Sequence, residues 1–273
     1  MSAPAAGRGP AVVAARTPAG VRRLAAGARD LDDLDARVTS CRACPRLVAW
    51  REEVARTRRR AYADEEYWGR PVPGLGDPAA RLLVVGLAPA AHGGNRTGRA
   101  FTGDASGDWI VAALHRAGLA NQPTSVARDD GLVLTGVRIA MPVRCAPPDN
   151  APLPGEKETC APWLDREVAL LPGLAAVLAL GGIAWQATLG LARRAGWEVP
   201  RPAPRFGHGA TAVLPRPGGA PVTLVGSYHV SRQNTSTGRL TRAMLDDAVA
   251  SARDVAASVD GHAPVAQRQR QAP

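Results

Sequence analysis

Cys41, Cys44, Cys145 and Cys160 are the chain's whole cysteine complement, and together they form a set with none left over. Cys41-x2-Cys44 is a chelating step, a spacing that lets one turn present two thiolates to one centre. The second pair is much wider, which fits a zinc ribbon poorly but leaves both structural zinc and an iron–sulfur cluster open. Four cysteines in 273 residues are too few for a disulfide scaffold, so a metal or redox site in a reducing compartment is the expectation.

Two polar loops carry the other reactive residue types. The first, residues 86–104, reads GLAPAAHGGNRTGRAFTGD. Its glycines let backbone approach a ligand closely. Phe101 is one of only two phenylalanines in the chain and reads either as a stacking surface for a flat ring or as a core plug. Asp104 is a candidate carboxylate, with a helix N-cap as the plain alternative. No Gly-Lys-Ser/Thr follows, and no Gly-x-Gly-x-x-Gly opens the loop, so neither a P-loop nor a dinucleotide fingerprint is present. The second loop, 228–239, begins Tyr228-His229 and continues with hydroxyls, amides, Arg232 and Arg239. Such a mixture suits contact with phosphates and a heterocycle together.

The elements that must position these loops follow from periodicity. Apolar runs at 82–86, 137–143, 175–180 and 222–227 predict strands, with a short edge strand at 211–214. Helical patterns fall at 31–60, from Ser106 or Asp108 onward, at 154–171, at 183–195 and from about 239 to Ala256. Residues 68–78, WGRPVPGLGDP, predict a loop. Strands alternating with helices imply a mainly parallel sheet covered on both faces. In such sheets the site lies at the carboxyl ends of the strands, which sets the two loops across one crevice. The expected organisation is a flexible basic tail over 1–30, one domain over 31–256 and a second tail over 257–273.

Thirty-four basic residues against 24 acidic give +10 at pH 7, a surplus that favours polyanion partners. Lys157 is the only lysine, an arginine bias that genome composition explains as well as phosphate recognition does. No apolar stretch reaches the ~20 residues of a membrane span and no signal-peptide segment opens the chain. A cytoplasmic monomer with no membrane partner is expected.

The motifs at 68–78 and 86–104, VRCAPPDN at 143–150 and HVSRQNTSTGRLT at 229–241 together resemble the family 5 uracil-DNA glycosylases, over roughly residues 38–250. The resemblance implies a three-layer α/β/α sandwich around a central, mainly parallel four-stranded sheet. It implies DNA containing uracil or other deaminated bases as partner, and hydrolysis of the bond between deoxyribose and base. It also implies a four-iron, four-sulfur (4Fe-4S) cluster on Cys41, Cys44, Cys145 and Cys160. His229 then stabilises charge on the departing base, while Gly86, Leu87, Ala88, Phe101 and Asn150 line the base pocket. Ser231, Arg232, Asn234 and Arg239 hold the DNA backbone.

Two departures matter. Ala88, Ala90 and Ala91 surround Pro89 where other branches place an aspartate, asparagine or glutamate to position water. Asp104 and then Asn95 are the candidates to replace it. Met141 occupies the place of a base-reading asparagine in family 4 relatives, which predicts a broad base range. The alternative in another class is a protein that captures uracil-DNA without turnover or covalently. The branch that does so has an inserted basic loop before the second motif, and 215–228 contains none.

Overall fold

The structure, a computed structural model, describes residues 13–258. Four short, β-branched or leucine-rich runs form the parallel centre of the sheet: β2 (Leu82–Val85), β3 (Val137–Ala140), β4 (Ala176–Leu180) and β6 (Gly219–Ser227). Two antiparallel edge strands extend it, β1 (Leu75–Gly76) beside β3 and β5 (Thr211–Arg216) beside β6. The order is β1-β3-β2-β4-β6-β5. The expected four-stranded parallel core is therefore present, but the sheet is six-stranded and mixed. The short β1 lies inside the stretch predicted as pure loop. It has only two residues, so no alternating pattern marks it.

Side chains alternate along each central strand, and both faces are covered. Leu83, Val85, Val177, Ala179 and Leu224 pack in one core beneath α1 (Pro18–Ala26), α2 (Leu31–Thr39), α6 (Pro154–Ala169) and α7 (Gly182–Arg194). Leu82, Val84, Leu178 and Val225 face the opposite core, under α5 (Ala105–Arg116) and α9 (Arg242–Ser258). That is the three-layer sandwich. Helix α3 (Pro45–Thr57) and two short helices, α4 (Gly94–Thr97) and α8 (Arg232–Ser236), complete the α-helices among the described residues.

Helix α1 corrects the tail expected over 1–30. Thr17 caps it through Gly20 N–H, and Val21 and Ala25 are buried. Low complexity masked its short apolar stripe, which is stable through packing on α6 rather than through propensity. Residues 1–12 of that tail and 259–273 of the second lie outside the described residues. No helix among the described residues is long and apolar enough to cross a membrane.

A buried ion network fixes the frame. Arg138 on β3 donates to Glu167 of α6 and to Asp35 of α2, and Arg144 also donates to Glu167. Glu167 is fully buried, and the two arginines hold its carboxyl below the ordinary range against the desolvation that opposes ionisation. Gly74 N–H donates to Asp35, and a Cβ at Gly74 would collide with Glu167 and Arg138. A glycine is required there because the 68–78 loop crosses directly over the network.

Candidate active site and cysteine centre

Strand register sets three loop openings side by side. Val85 pairs with Ala179, and Leu180 with Ser227. The residues that follow, Gly86, Gly181 and Tyr228-His229, therefore leave adjacent strands at one edge of the sheet. Gly86 N–H still bonds Ala140 O. A Cβ on Gly86 would meet Met141 Sδ at 2.7 Å and Phe101 Cζ at 3.0 Å. The Phe101 ring thus rests against bare backbone, and the residue is only 5% exposed. Phe101 also adopts φ +49°, a left-handed conformation costly for an aromatic residue and commonest where a site demands it.

The rest of the first loop is tied inward. Arg96 Nε donates to His92 O, its Nη2 to Gly103 O and its Nη1 to Glu65. Arg99 bonds Thr102, Ser125, Asp130 and the Arg128 carbonyl. Asn95 is fully buried, and its amide donates to Arg51 O at 3.2 Å. Asp104 caps α5 by accepting from Gly107 N–H at 2.9 Å, while its other oxygen lies against Gly93, where no Cβ would fit. Burial raises its pKa, with the backbone donors Gly107 and Ser106 opposing. The cap reading of Asp104 is met by this geometry.

His229 packs against Gly181, whose Cβ would lie 3.2 Å from His229 Cβ. Gly181 has φ +96°, so both space and conformation require glycine. Burial lowers the His229 pKa, which keeps the ring neutral, with one N–H to donate, at pH 7. Its carbonyl is held by the Asn234 amide at 2.8 Å, so Asn234 faces inward rather than toward a ligand. Ser231 opens α8 and is half-buried, while Arg232 and Arg239 are exposed. Arg239 stacks over the Tyr228 ring at 4.8 Å. His208 also stacks on Tyr228 and accepts from Tyr228 N–H at 3.2 Å.

Leu87 opens instead onto a groove of about 640 Å³ between α6 and α7, shared with Val143, Ile183 and Phe206. Ala88 packs beside Cys44, Cys145 and Leu47. Asn150 sits exposed at φ +54° on the turn after Cys145.

All four cysteines line one small cavity with Leu47, Trp163 and two buried arginines, Arg51 and Arg144. None forms a disulfide. The sulfurs already meet N–H donors: Ala43 and Trp163 at Cys41, Arg51 Nη1 at Cys145 (2.8 Å) and Arg144 N–H at Cys160 (3.3 Å). Burial and the neighbouring sulfurs push the Cys44 thiol to about 12, and burial pushes Cys145 to about 11. A positively charged centre among them would favour the thiolates over these raised values. Arg51 Nε and Arg144 Nε and Nη1 are buried without partners, so the cavity offers donors to an anionic, sulfur-bearing group. Among the described residues no three such ligands close on a single ion; the four thiols surround a space instead.

Sequence reasoning passed over Gly181, His208 and Arg51. Gly181 follows a predicted strand and could have been found as a strand-end glycine. Arg51 carried no signal, being one arginine among many on a helix.

A sheet of this topology with glycines, a neutral histidine and an aromatic wall at its carboxyl edge defines a class: the chain belongs to the uracil DNA glycosylase superfamily, which residues 73–253 match. Among its relatives, a Mycobacterium bovis protein named type-5 uracil-DNA glycosylase is 57% identical over 85% of this chain and 84% of its own. The protein of that name from Thermus thermophilus is 53% identical over 80% of this chain and 95% of its own. One from Pyrobaculum aerophilum is 47% identical over 77% and 86%.

Proposed function

We propose that the protein is a monofunctional glycosylase of DNA base-excision repair, which hydrolyses the bond between deoxyribose and uracil and leaves an abasic site. The observation that carries this is a neutral, half-buried His229, held by Gly181 and Asn234, two strands from the Gly86–Phe101 wall. The base must leave the helix before its sugar bond is reachable. Phe101, seated on Gly86 and Met141, forms the apolar wall for its flat face. As the C1′–N bond breaks, its electron pair departs with the base. The His229 N–H meets the charge growing on the base carbonyl, a fixed donor that needs no reorganisation. The sugar is left oxocarbenium-like, and water adds its oxygen to C1′. Asp104, which accepts a proton more readily than an ordinary aspartate, takes the proton released. Asn95 is closed off in the core and is better placed to hold the loop than to touch water. Arg232 and Arg239, with Ser231, contact flanking phosphates.

Met141 presents a thioether rather than an amide beside Gly86. Without a fixed polar reader at that point, hypoxanthine and modified uracils are substrates as well. The four-cysteine cavity suits a four-iron, four-sulfur cluster better than zinc. One zinc needs its sulfurs about 2.3 Å from a single point, whereas here four thiols and unpaired donors surround a space. Such a cluster supplies a cross-link between the start of α3 and residues 145–160. The protein acts as a cytoplasmic monomer, where thiols stay reduced.

The deciding assay is incubation with labelled duplex DNA bearing one uracil, followed by alkali and a denaturing gel. Strand breakage at that base, appearing only after alkali, is the expected outcome. A shifted band that survives denaturation would mean a covalent trap instead.

A further inference from the structure

Arg51 stands where the cysteine cavity and the base-pocket loop meet. It lies on α3, seven residues past Cys44, and its side chain is 2% exposed. One end of the residue faces the cysteines: Nη1 donates to Cys145 Sγ at 2.8 Å and Nη2 to Cys41 O at 3.0 Å. Its other polar end, the backbone carbonyl, accepts from the Asn95 amide at 3.2 Å. Asn95 is fully buried and is the second residue of α4, in the middle of the 86–104 loop. Its own N–H bonds Ala90 O, and its carbonyl accepts from Gly69 N–H. Glu52 pairs with the guanidinium only loosely, at 3.9 Å and from the solvent side.

A guanidinium buried this deeply is costly without a counter-charge. The thiolates of a loaded cysteine site can supply one, and Cys145 is already within a hydrogen bond. Removing the charge from those sulfurs leaves Arg51 as a buried cation with a distant exposed partner. α3 would then relax at this turn, and the carbonyl that holds Asn95 moves with it. Ala88 adds a packing contact in the same direction, beside Cys44 and Cys145.

We propose that Arg51 is a positioning residue that couples the cysteine site to the base-pocket loop, so that the loaded or empty state of that site sets the order of residues 90–98. This rests on the cluster reading above. It predicts a glycosylase whose excision fails when the site is emptied although no cysteine touches the base.

The test is hydrogen exchange of the 90–98 amides, with iron and sulfide content measured on the same samples. Wild-type protein should protect Asn95, Arg96 and Gly98 amides while loaded, and chelation should speed their exchange at least tenfold. Arg51→Met, with the charge gone and volume kept, should speed exchange to a similar degree. Leu189→Ala, a core variant on α7 compared at equal loss of melting temperature, should not. Arg51→Lys should restore part of the protection, and it serves alone if Arg51→Met does not fold. Asn95→Ala should free the loop while the metal content stays at the wild-type level. If Arg51→Met or, failing that, Arg51→Lys exchanges no faster at 90–98 than the Leu189→Ala control, the coupling is wrong. Absence of iron and sulfide from wild-type protein overturns the cluster reading instead, and the exchange comparison between variants then judges Arg51 separately.

Discussion

The two loops at the carboxyl edge of the sheet use the same residue type in opposite ways. In the first, Arg96 and Arg99 are 8% and 7% exposed and are consumed by carbonyls and a hydroxyl of the loop itself and by Glu65, Ser125 and Asp130 from neighbouring segments. In the second, Arg232 and Arg239 are exposed, and its hydroxyls bond only to the backbone of α8. The first loop is a preorganised wall. The second is a histidine on a firm strand end, followed by a short helix with its cations turned to solvent. Rigidity therefore marks the first loop, and free charge the second.

The contrast breaks most easily at Arg99. Arg99→Met removes the centre of a buried network and should cost about 3 kcal/mol of folding stability. The expected sign is a matching fall in melting temperature and, above pH 5, in denaturant midpoint. The pH dependence follows from Asp130, which Arg99 and backbone donors hold at about 2 against desolvation. Its contribution is present above its ordinary value of 3.8 and is lost as pH falls toward 2. Wild type and variant should thus converge in stability at acid pH.

His229→Ala should reduce single-turnover excision by ~10²–10³-fold, the usual effect of deleting one fixed donor to developing negative charge. Binding to uracil-DNA should change far less. A variant that still cuts at the wild-type rate would remove His229 from the reaction.

Asp104→Asn separates its two readings. Asparagine caps a helix about as well as aspartate, so stability should move by only a few tenths of a kcal/mol. Excision should fall about 10²-fold if the carboxylate takes a proton. Because burial raises this pKa, the acid limb of wild-type kcat should lie above the ordinary aspartate range, and it should vanish in the variant. Unchanged kcat would leave Asp104 as a cap alone.

The smallest expected effects are in the second loop. Arg232→Gln and Arg239→Gln should each reduce the slope of log affinity against log salt by about one, with melting temperature unchanged. The same substitution at Arg96 should instead lower stability, since that side chain is buried.

The central strands, α5, α6 and α7 were legible because continuous apolar runs and three-to-four periodicity persist over enough residues. Helix α1 and β1 were not: each is short and owes its existence to a surface supplied by distant chain, α6 in one case and β3 in the other. Within the site, the strand ends of 86 and 228 were readable, as was the isolation of four cysteines. The inward turn of Asn234 was not, since an amide in a polar loop has no sign saying which way it faces.

The sequence by itself determined the parallel core, the exit of two polar loops from the same end of its strands and the residue types available there. Local patterning and strand-end logic depend on neighbours within a few positions, so they can be read along the chain. Only the tertiary structure decided which arginines are buried, that Gly181 supports His229, and that Arg51 touches both the cysteine cavity and Asn95. Those outcomes depend on desolvation and on contacts between residues tens of positions apart, and neither quantity is carried by any single stretch of the chain.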